Sequence, residues 1–262
     1  MSLTTLTETQ LQHYVPSAFA TAPWENMSAK YRMIPTIQVI RHLEGHGFLP
    51  MDARQGRTRI PGKADFTRHV IRFSNLNSMP VAVGDVVPQI VLSNSHDGTS
   101  AYKISLGMFR LVCLNGMMVH SANINEISVR HSGPETLADE VLEASYQVID
   151  ESPKAVAQIE DWSKRELTSN QQQAYADAAL ELHDATLKPS VEQVLAARRY
   201  ADQGPDIWRT MNRVQENLVR GGQRTRNAQG QRRHVLAIKS LNEDIRLNRA
   251  LWKLTEALAQ QL

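Results

Sequence analysis

The chain has 262 residues, of which 42% are hydrophobic and 21% are charged, and its formal net charge is +2. This composition is ordinary for a soluble globular protein of one or two domains. A single cysteine, Cys113, excludes an internal disulfide framework, and we therefore expect a reducing, cytoplasmic environment. The N-terminal segment lacks a signal-peptide pattern, and no run of 18 apolar residues predicts a membrane-spanning helix.

The small net charge hides a strong segregation of charge along the chain. Residues 30–72 carry nine Lys or Arg against three Asp or Glu, residues 135–192 carry four against 13, and residues 198–253 carry 13 against five. Such blocks create local electric fields even when the total charge is small. Packing of acidic faces on basic faces, or on a partner subunit, is one explanation. Binding of a polyanion by the basic blocks is the other.

The first half of the chain predicts an α+β domain over residues 12–133. Thr36 is positioned to cap the N-terminus of a short helix. A predicted strand at Gln89–Asn94 returns through Ala101–Leu106 after a tight-turn signal at Asp97–Gly98. Further strand-like runs lie before and after this hairpin. We therefore predict an N-terminal antiparallel β-sheet accompanied by a helix.

The second half, residues 134–262, predicts a helical domain. Ser169, Ser190 and Ser240 are each followed three residues later by Gln or Glu, which is the pattern of a capping box. Gly221 is the expected end of the helix that begins after Pro205. The apolar stripe of that helix comprises Ile207, Met211, Val214 and Leu218.

The loop predicted at residues 220–239 is unusually basic. It lies within the acid-free stretch Asn217–Asn242 and joins two predicted helices, although a helix hairpin needs only about two to eight linking residues. Glycine makes such a loop flexible, and arginine suits it to phosphate. We interpret it as a flexible nucleic-acid-binding loop. Its cations are Arg220, Arg224, Arg226, Arg232, Arg233 and Lys239.

A second group of candidate nucleic-acid-binding cations lies on the first strands and their loop. These are Arg54, Arg57, Arg59, Lys63, Arg68 and Arg72. Aromatic residues are interleaved nearby, including Phe48, Phe66 and Phe73, with Trp208 in the second half. Proteins that bind single strands combine a basic groove with aromatic stacking platforms. Core packing of the aromatics and a solvated face of arginines explain the same pattern, and both interpretations remain open.

Motifs for catalysis are absent from the sequence. Neither a P-loop nor a glycine-rich dinucleotide motif occurs, and one cysteine excludes zinc ribbons and fingers. We interpret Cys113 as a buried thiol and Asp97 first as a turn residue, with an active-site loop at Asn94–Ser100 as the alternative. No catalytic residue, metal or cofactor is predicted.

Several long segments carry a family resemblance. They include "SAKYRMIPTIQVIRHLEGHGF", "VVPQIVLSNSHDGTSAYKISLGMFRLVCLNGMMV" and "WRTMNRVQENLVRGG". In this order they resemble the prokaryotic "domain of unknown function 932" family of phage/plasmid-like proteins, over nearly the whole chain. The resemblance implies a gene carried on a prophage, plasmid or other mobile genetic element. It implies no catalytic activity and transfers no functional residues. The succession of a helix, a β-meander and helices is also loosely similar to phage single-strand annealing proteins.

These features together predict a non-enzymatic nucleic-acid-binding protein of mobile-element DNA metabolism. Single-stranded DNA is the favoured partner, for single-strand binding or annealing, and no membrane partner is expected. One alternative is a protein-interaction module, such as an inhibitor of host defence, with a host protein as its partner. Another is an uncharacterised nuclease. The sequence leaves a homo-oligomer open.

Overall fold

The computed structural model describes residues 5–27, 31, 33–75, 86–110, 116–118, 126–129 and 136–262. The fold is α+β, with an N-terminal antiparallel sheet followed by helices, which confirms the predicted class. By its contacts the chain divides into two compact units. The first comprises Met1–Gly116 and Ala122–Pro153, and the second comprises Met117–Ser121 and Lys154–Leu262.

The first unit is built on an antiparallel sheet of β1 (Phe48–Gln55), β2 (His69–Asn75), β3 (Val86–Asn94) and β4 (Tyr102–Arg110), which pair in this order as a meander. The short strand β5 (Gly116–Met118) lies at the division between the units, and β6 (Ile127–Val129) of the first unit pairs with the start of β4. The helices of the first unit are α1 (Glu8–Tyr14), α2 (Thr36–Gly45) and α3 (Leu137–Asp150), with short 3-10 helices at Pro16–Phe19 and Ala64–Phe66. The predicted hairpin is β3–β4, and its turn places Gly98 at φ 75°.

The core of the first unit lies against β3, which is buried along its whole length. Helix α3 contacts β3 and β4 and buries Leu137, Val141 and Val148. The domain boundary at 133/134 stays a prediction, but the helix that follows it packs with the sheet. Covering the apolar face of the sheet explains this placement.

A buried polar network joins α2 to the sheet. Thr36 Oγ1 lies 2.9 Å from His69 Nε2, 3.1 Å from His96 Nε2 and 3.1 Å from Asn94 Nδ2. The predicted capping role of Thr36 is wrong, because Pro35 holds the N-cap position and makes no side-chain cap. The hydroxyl of Thr36 instead satisfies polar groups that the fold removes from water.

His69 has a hydrogen-bond partner at each ring nitrogen in this network. Its Nδ1 lies 2.8 Å from Ser17 Oγ, and the residue is fully buried. Burial lowers the pKa of His69 to about 4. The imidazole is therefore neutral in the folded protein at pH 7.

The second unit is helical apart from one small hairpin. Its elements are α4 (Ser152–Lys164, which begins at the division), α5 (Ser169–Leu182), α6 (Val191–Leu195), α7 (Ile207–Arg220), β7 (Arg224–Arg226), β8 (Arg232–His234) and α8 (Leu241–Gln261). Ser190 and Ser240 cap α6 and α8 as predicted. The predicted cap at Ser169 is wrong, because Thr168 caps α5 in a capping box with Gln171. Among the described residues, each helix is too short or too polar to cross a membrane.

Candidate nucleic-acid interface

Helix α7 supports the segment that carries the candidate interface. Its predicted apolar stripe is confirmed, since all four residues are buried: Ile207, Met211, Val214 and Leu218. The rest of the helix is also enclosed, and the polar side chains of Arg213, Glu216 and Asn217 are buried with it. Asp206 fixes the start of the helix by accepting a 2.8 Å bond from the backbone N–H of Arg209. Because α7 is enclosed in this way, the segment that follows it starts from a firmly held backbone.

The polar side chains at the C-terminal end of α7 are hydrogen-bonded or ion-paired to residues 194–199. Asn217 Nδ2 donates to the carbonyls of Val194 and Ala196 at 2.9 and 2.8 Å. Arg198 Nε donates to Asn217 Oδ1 at 2.6 Å. Arg199 Nη2 lies 2.9 Å from Glu216 Oε1. Arg198 and Arg199 therefore serve the fold: Arg198 is hydrogen-bonded to the end of α7, and Arg199 is ion-paired with Glu216.

The chain leaves α7 through two glycines. Gly221 has φ 59°, and a Cβ there would lie 2.6 Å from the carbonyl carbon of Leu236. Gly222 N–H donates to Val235 O at 2.8 Å, and Val235 N–H donates to Gln223 O at 2.9 Å. Gly221 therefore ends α7 as predicted. It also allows the outgoing and returning backbones to touch, which a side chain would prevent.

The predicted flexible loop is an ordered β-hairpin, so the expectation of irregular structure between the two helices is wrong. Strand β7 pairs with β8, and Asn227–Gly230 form the turn. Gly230 has φ 73°, and Asn227 Oδ1 accepts a 2.9 Å bond from the backbone N–H of Gln231. Sequence reasoning missed the strands because each has three residues and neither contains an apolar side chain. The turn residues Asn227 and Gly230 were the available signal.

The strand register of this basic hairpin, Arg224–His234, determines which side chains share a face. Arg224 is paired with His234, and Arg226 with Arg232, which places these four side chains on one face. Thr225 and Arg233 belong to the other face. Such a short two-stranded hairpin is marginally stable alone. Its position is supported by hydrogen bonds from Gln193 Nε2 to Arg224 O at 2.9 Å and from Thr225 Oγ1 to Lys188 O at 3.2 Å.

The cations of the basic hairpin are exposed and have no neutralising partner among the described residues. No ion pair joins its four arginines or the neighbouring Lys239 to any part of the chain that the structure describes. Arg226 Nη1 donates to Gly230 O at 2.7 Å, a neutral acceptor within the hairpin. Arg220 differs, because its Nε lies 3.3 Å from Glu216 Oε1. Arg226 opposite Arg232 is a repulsive pair, which a bound anion would relieve.

The cations of the sheet are arranged differently. Arg72 Nε lies 3.1 Å from Asp52 Oδ2, and its guanidinium carbon lies 4.0 Å above the ring centre of Phe109. Arg54 Nε lies 3.4 Å from the same Asp52 oxygen. Burial lowers the pKa of Arg72. Asp52 and Phe109 thus hold Arg72 inside the fold.

The remaining sheet cations divide into engaged and exposed ones. Lys63 Nζ lies 3.0 Å from Asp97 Oδ2, and Asp97 Oδ1 accepts a 3.1 Å bond from the backbone N–H of Thr99. Asp97 is therefore a turn residue in an ion pair. Arg68 Nη2 donates to a hydroxyl of β3 at 3.1 Å. Arg57 and Arg59 are exposed and form no ion pair with a described residue, whereas Arg54 is exposed but paired with Asp52.

The other sequence candidates are not brought into a site. Phe48, Phe73 and Trp208 are buried and belong to the core. Cys113 lies outside the described residues. Within the described part of the chain, no group of three or more His, Cys, Asp or Glu side chains converges as a metal site would require.

Comparison with known proteins identifies the family. The profile described as "Domain of unknown function (DUF932)" matches residues 23–252. UPF0380 protein YafZ of Escherichia coli strain K12 is 39% identical over 259 residues, covering 98% of this chain and 93% of that protein. UPF0380 protein YfjQ of the same strain is 38% identical with the same coverage. No solved structure matches the chain. The match to most of the chain and the two relatives confirm the resemblance seen in the sequence, and the protein belongs to the DUF932 family.

Proposed function

We propose that the protein binds nucleic acid without catalysis, and that the basic hairpin is its main contact with phosphates. The observation that carries this proposal is an ordered hairpin whose exposed arginines lack an ion pair with any described residue. Folding alone does not explain it, because neither strand buries an apolar side chain and two arginines face each other. A polyanionic ligand would neutralise that repulsion.

Arginine matches this role chemically. Its guanidinium donates two parallel hydrogen bonds to phosphate oxygens and stays charged at any physiological pH. Contacts with phosphates fix position but do not read sequence. The hairpin is therefore suited to binding that is independent of sequence, with single-stranded DNA as the favoured ligand. We place this activity in the cytoplasmic DNA metabolism of a prophage or plasmid, as the phage/plasmid-like resemblance implies.

The two groups of predicted cations contribute unequally to this proposal. Arg224, Arg226, Arg232, Arg233 and Lys239 are the proposed principal contacts. Arg57 and Arg59 are candidates for secondary contacts because they are exposed and form no ion pair with a described residue. The other predicted cations are assigned mainly to the fold: Arg54, Lys63, Arg68, Arg72 and Arg220.

The test compares two charge-matched variants in titrations against a labelled single-stranded DNA. Arg226→Gln with Arg232→Gln removes two hairpin charges. The control, Arg41→Gln with Arg246→Gln, removes two charges that are ion-paired with Glu8 and Glu243. If both hairpin arginines contact phosphates, binding at 0.1 M salt should weaken roughly 20-fold in the hairpin variant. The control should bind as the wild type does.

Two outcomes would contradict the proposed function. One is a wild-type protein that binds neither single-stranded nor duplex nucleic acid at low salt, which would favour the protein-interaction alternative. The other is an equal loss of affinity in both variants, because a general effect of net charge would then explain the result. Thermal melts of both variants establish that any loss is not due to unfolding.

A further inference from the structure

Two side chains near the basic hairpin are unusually exposed for their type. Among the described residues, Tyr200 is 87% exposed and Leu236 is 79% exposed, and the next large hydrophobic residue, Ile60, is 54% exposed. A single exposed apolar side chain is ordinary in a protein surface. The position of these two side chains is what makes them informative.

Both side chains belong to backbone segments at the base of the hairpin. The carbonyl group of Leu236 lies against Gly221, within 2.7 Å of where a Cβ would be. Arg198 Nη2 donates to the carbonyl of the same Gly221. Tyr200 is two residues beyond Arg198, so their Cα atoms are at most about 7 Å apart. Leu236 therefore lies at the point from which the hairpin extends, and Tyr200 lies on a segment that runs from that point back along α7, where the carbonyl of Ala201 accepts a bond from Arg209.

The backbone that carries Tyr200 is firmly held. Arg199 is ion-paired to Glu216 at 2.9 Å, and the carbonyl of Ala201 accepts a 3.3 Å bond from Arg209 Nε. The ring of Tyr200 itself forms no hydrogen bond or ring contact with a described residue. A rigid backbone that presents an aromatic ring to solvent loses little conformational entropy when the ring binds a flat ligand.

We propose that Tyr200 stacks on an unpaired base of a single strand whose phosphates are held by the basic hairpin, with Leu236 as an apolar contact beside it. This inference rests on the proposed function and assigns a residue that distinguishes a single strand from a duplex. Residues 220–239 contain no Phe, Tyr or Trp, so the hairpin alone offers no stacking platform. Single-strand binders pair a basic surface with such platforms, whereas the bases of a duplex are already stacked on each other. Sequence analysis missed Tyr200 because a single aromatic residue between polar neighbours belongs to no periodic pattern.

The experiment titrates the wild type, Tyr200→Ala and Tyr200→Phe with a single strand and with a duplex of the same sequence. For the single strand, Tyr200→Ala should bind roughly 5- to 150-fold more weakly, the range typical of losing one stacked base. Tyr200→Phe keeps the ring and should bind as the wild type does. Duplex binding should be unaffected by either change. The dependence of single-strand affinity on salt should also be unchanged, because no charge is removed.

Each contrary outcome has one meaning. Wild-type affinity of Tyr200→Ala for the single strand overturns the stacking inference but leaves the proposed function standing. Equal losses on single strand and duplex overturn it as well, since the ring would then not distinguish them. A flattened salt dependence in Tyr200→Ala would show that the ring positions the hairpin rather than stacks. A wild type that binds neither form contradicts the proposed function itself. Thermal melts check the fold, which should tolerate loss of so exposed a side chain.

Discussion

The sheet and the basic hairpin both concentrate arginine, but they use it in opposite ways. On the sheet, Arg72 of β2 is paired with Asp52 of the neighbouring strand β1, and its Nε lies 3.1 Å from Asp52 Oδ2. On the hairpin, Arg226 faces Arg232, and no described acid neutralises either one. Cross-strand register therefore decides whether a cation stabilises the fold or remains available to a ligand. A count of charges along the sequence treats the two regions alike.

The largest expected effect concerns the polar groups enclosed in the sheet unit. Because His69 has a pKa of about 4 when folded and an ordinary value of 6.5 when unfolded, the unfolded chain binds its proton first as the pH falls. Stability is thus unaffected by this group above pH 6.5 and declines between 6.5 and 4. The loss from His69 should be about 2 kcal/mol at pH 5 and about 3 kcal/mol at pH 4.

Denaturant titrations between pH 7.5 and 4 measure this loss. Ser17 Oγ, Thr36 Oγ1 and the Thr67 carbonyl are the hydrogen-bond partners of the His69 ring. The charged or titratable neighbours are Arg68, whose charge helps to lower the pKa of His69, and His96, whose ring centre lies 5.6 Å from that of His69. His69→Asn serves as the comparison, because a variant without the imidazole should show a shallower decline. Equal pH dependence in the two proteins would contradict the assignment of a buried neutral His69.

A second, smaller effect is expected from Arg72→Met. This change removes a side chain that is only 12% exposed and leaves Asp52 with one cation instead of two. The free energy of unfolding should fall by about 2 kcal/mol. Affinity for a single strand at a given salt concentration should not change in the folded variant. Weaker DNA binding with unaltered stability would reverse the roles given to the two regions.

The smallest of these effects should come from the glycines at the base of the hairpin. Gly221→Ala forces a Cβ against the Leu236 backbone at a positive φ, whereas Gly222→Ala adds a Cβ in open space at a similar φ. We expect Gly221→Ala to cost about 1–2 kcal/mol and to weaken DNA binding by displacing the hairpin. Gly222→Ala should lower the free energy of unfolding by less, because its positive φ strains the alanine backbone but the added Cβ touches no other atom. Melts and titrations of the two variants give the comparison, and equal behaviour would argue against a close approach at Gly221.

The sequence predicted the parts of the fold whose patterns are long. The apolar stripe of α7, its end at Gly221 and the β3–β4 hairpin around Gly98 all follow from periodicity or turn chemistry over many residues. Short polar strands carry no such signal, so the basic hairpin was expected as a loop. Thr36 was expected as a cap because local chemistry allows it, but the buried partners of its hydroxyl come from distant segments.

The candidate site was predictable in composition but not in arrangement. The acid-free stretch identified the hairpin cations from charge alone. Whether each cation has an acid beside it depends on cross-strand neighbours, as the pairing of Arg72 with Asp52 illustrates. Tyr200 lies outside any pattern, since its importance depends on exposure and on the contact of Arg198 with Gly221.

The salt dependence of single-strand binding tests most directly whether the hairpin, rather than the sheet, contacts phosphate. The variant changes Arg224, Arg226, Arg232 and Arg233 together to Gln, and Arg72→Met is the comparison. Each arginine that no longer neutralises a phosphate should flatten the slope of log K against log salt by about 0.7. If three or four of these arginines bind phosphates, the slope should be flatter by roughly 2–3 in the hairpin variant and unchanged in Arg72→Met. A hairpin variant with the wild-type slope and affinity would contradict the claim.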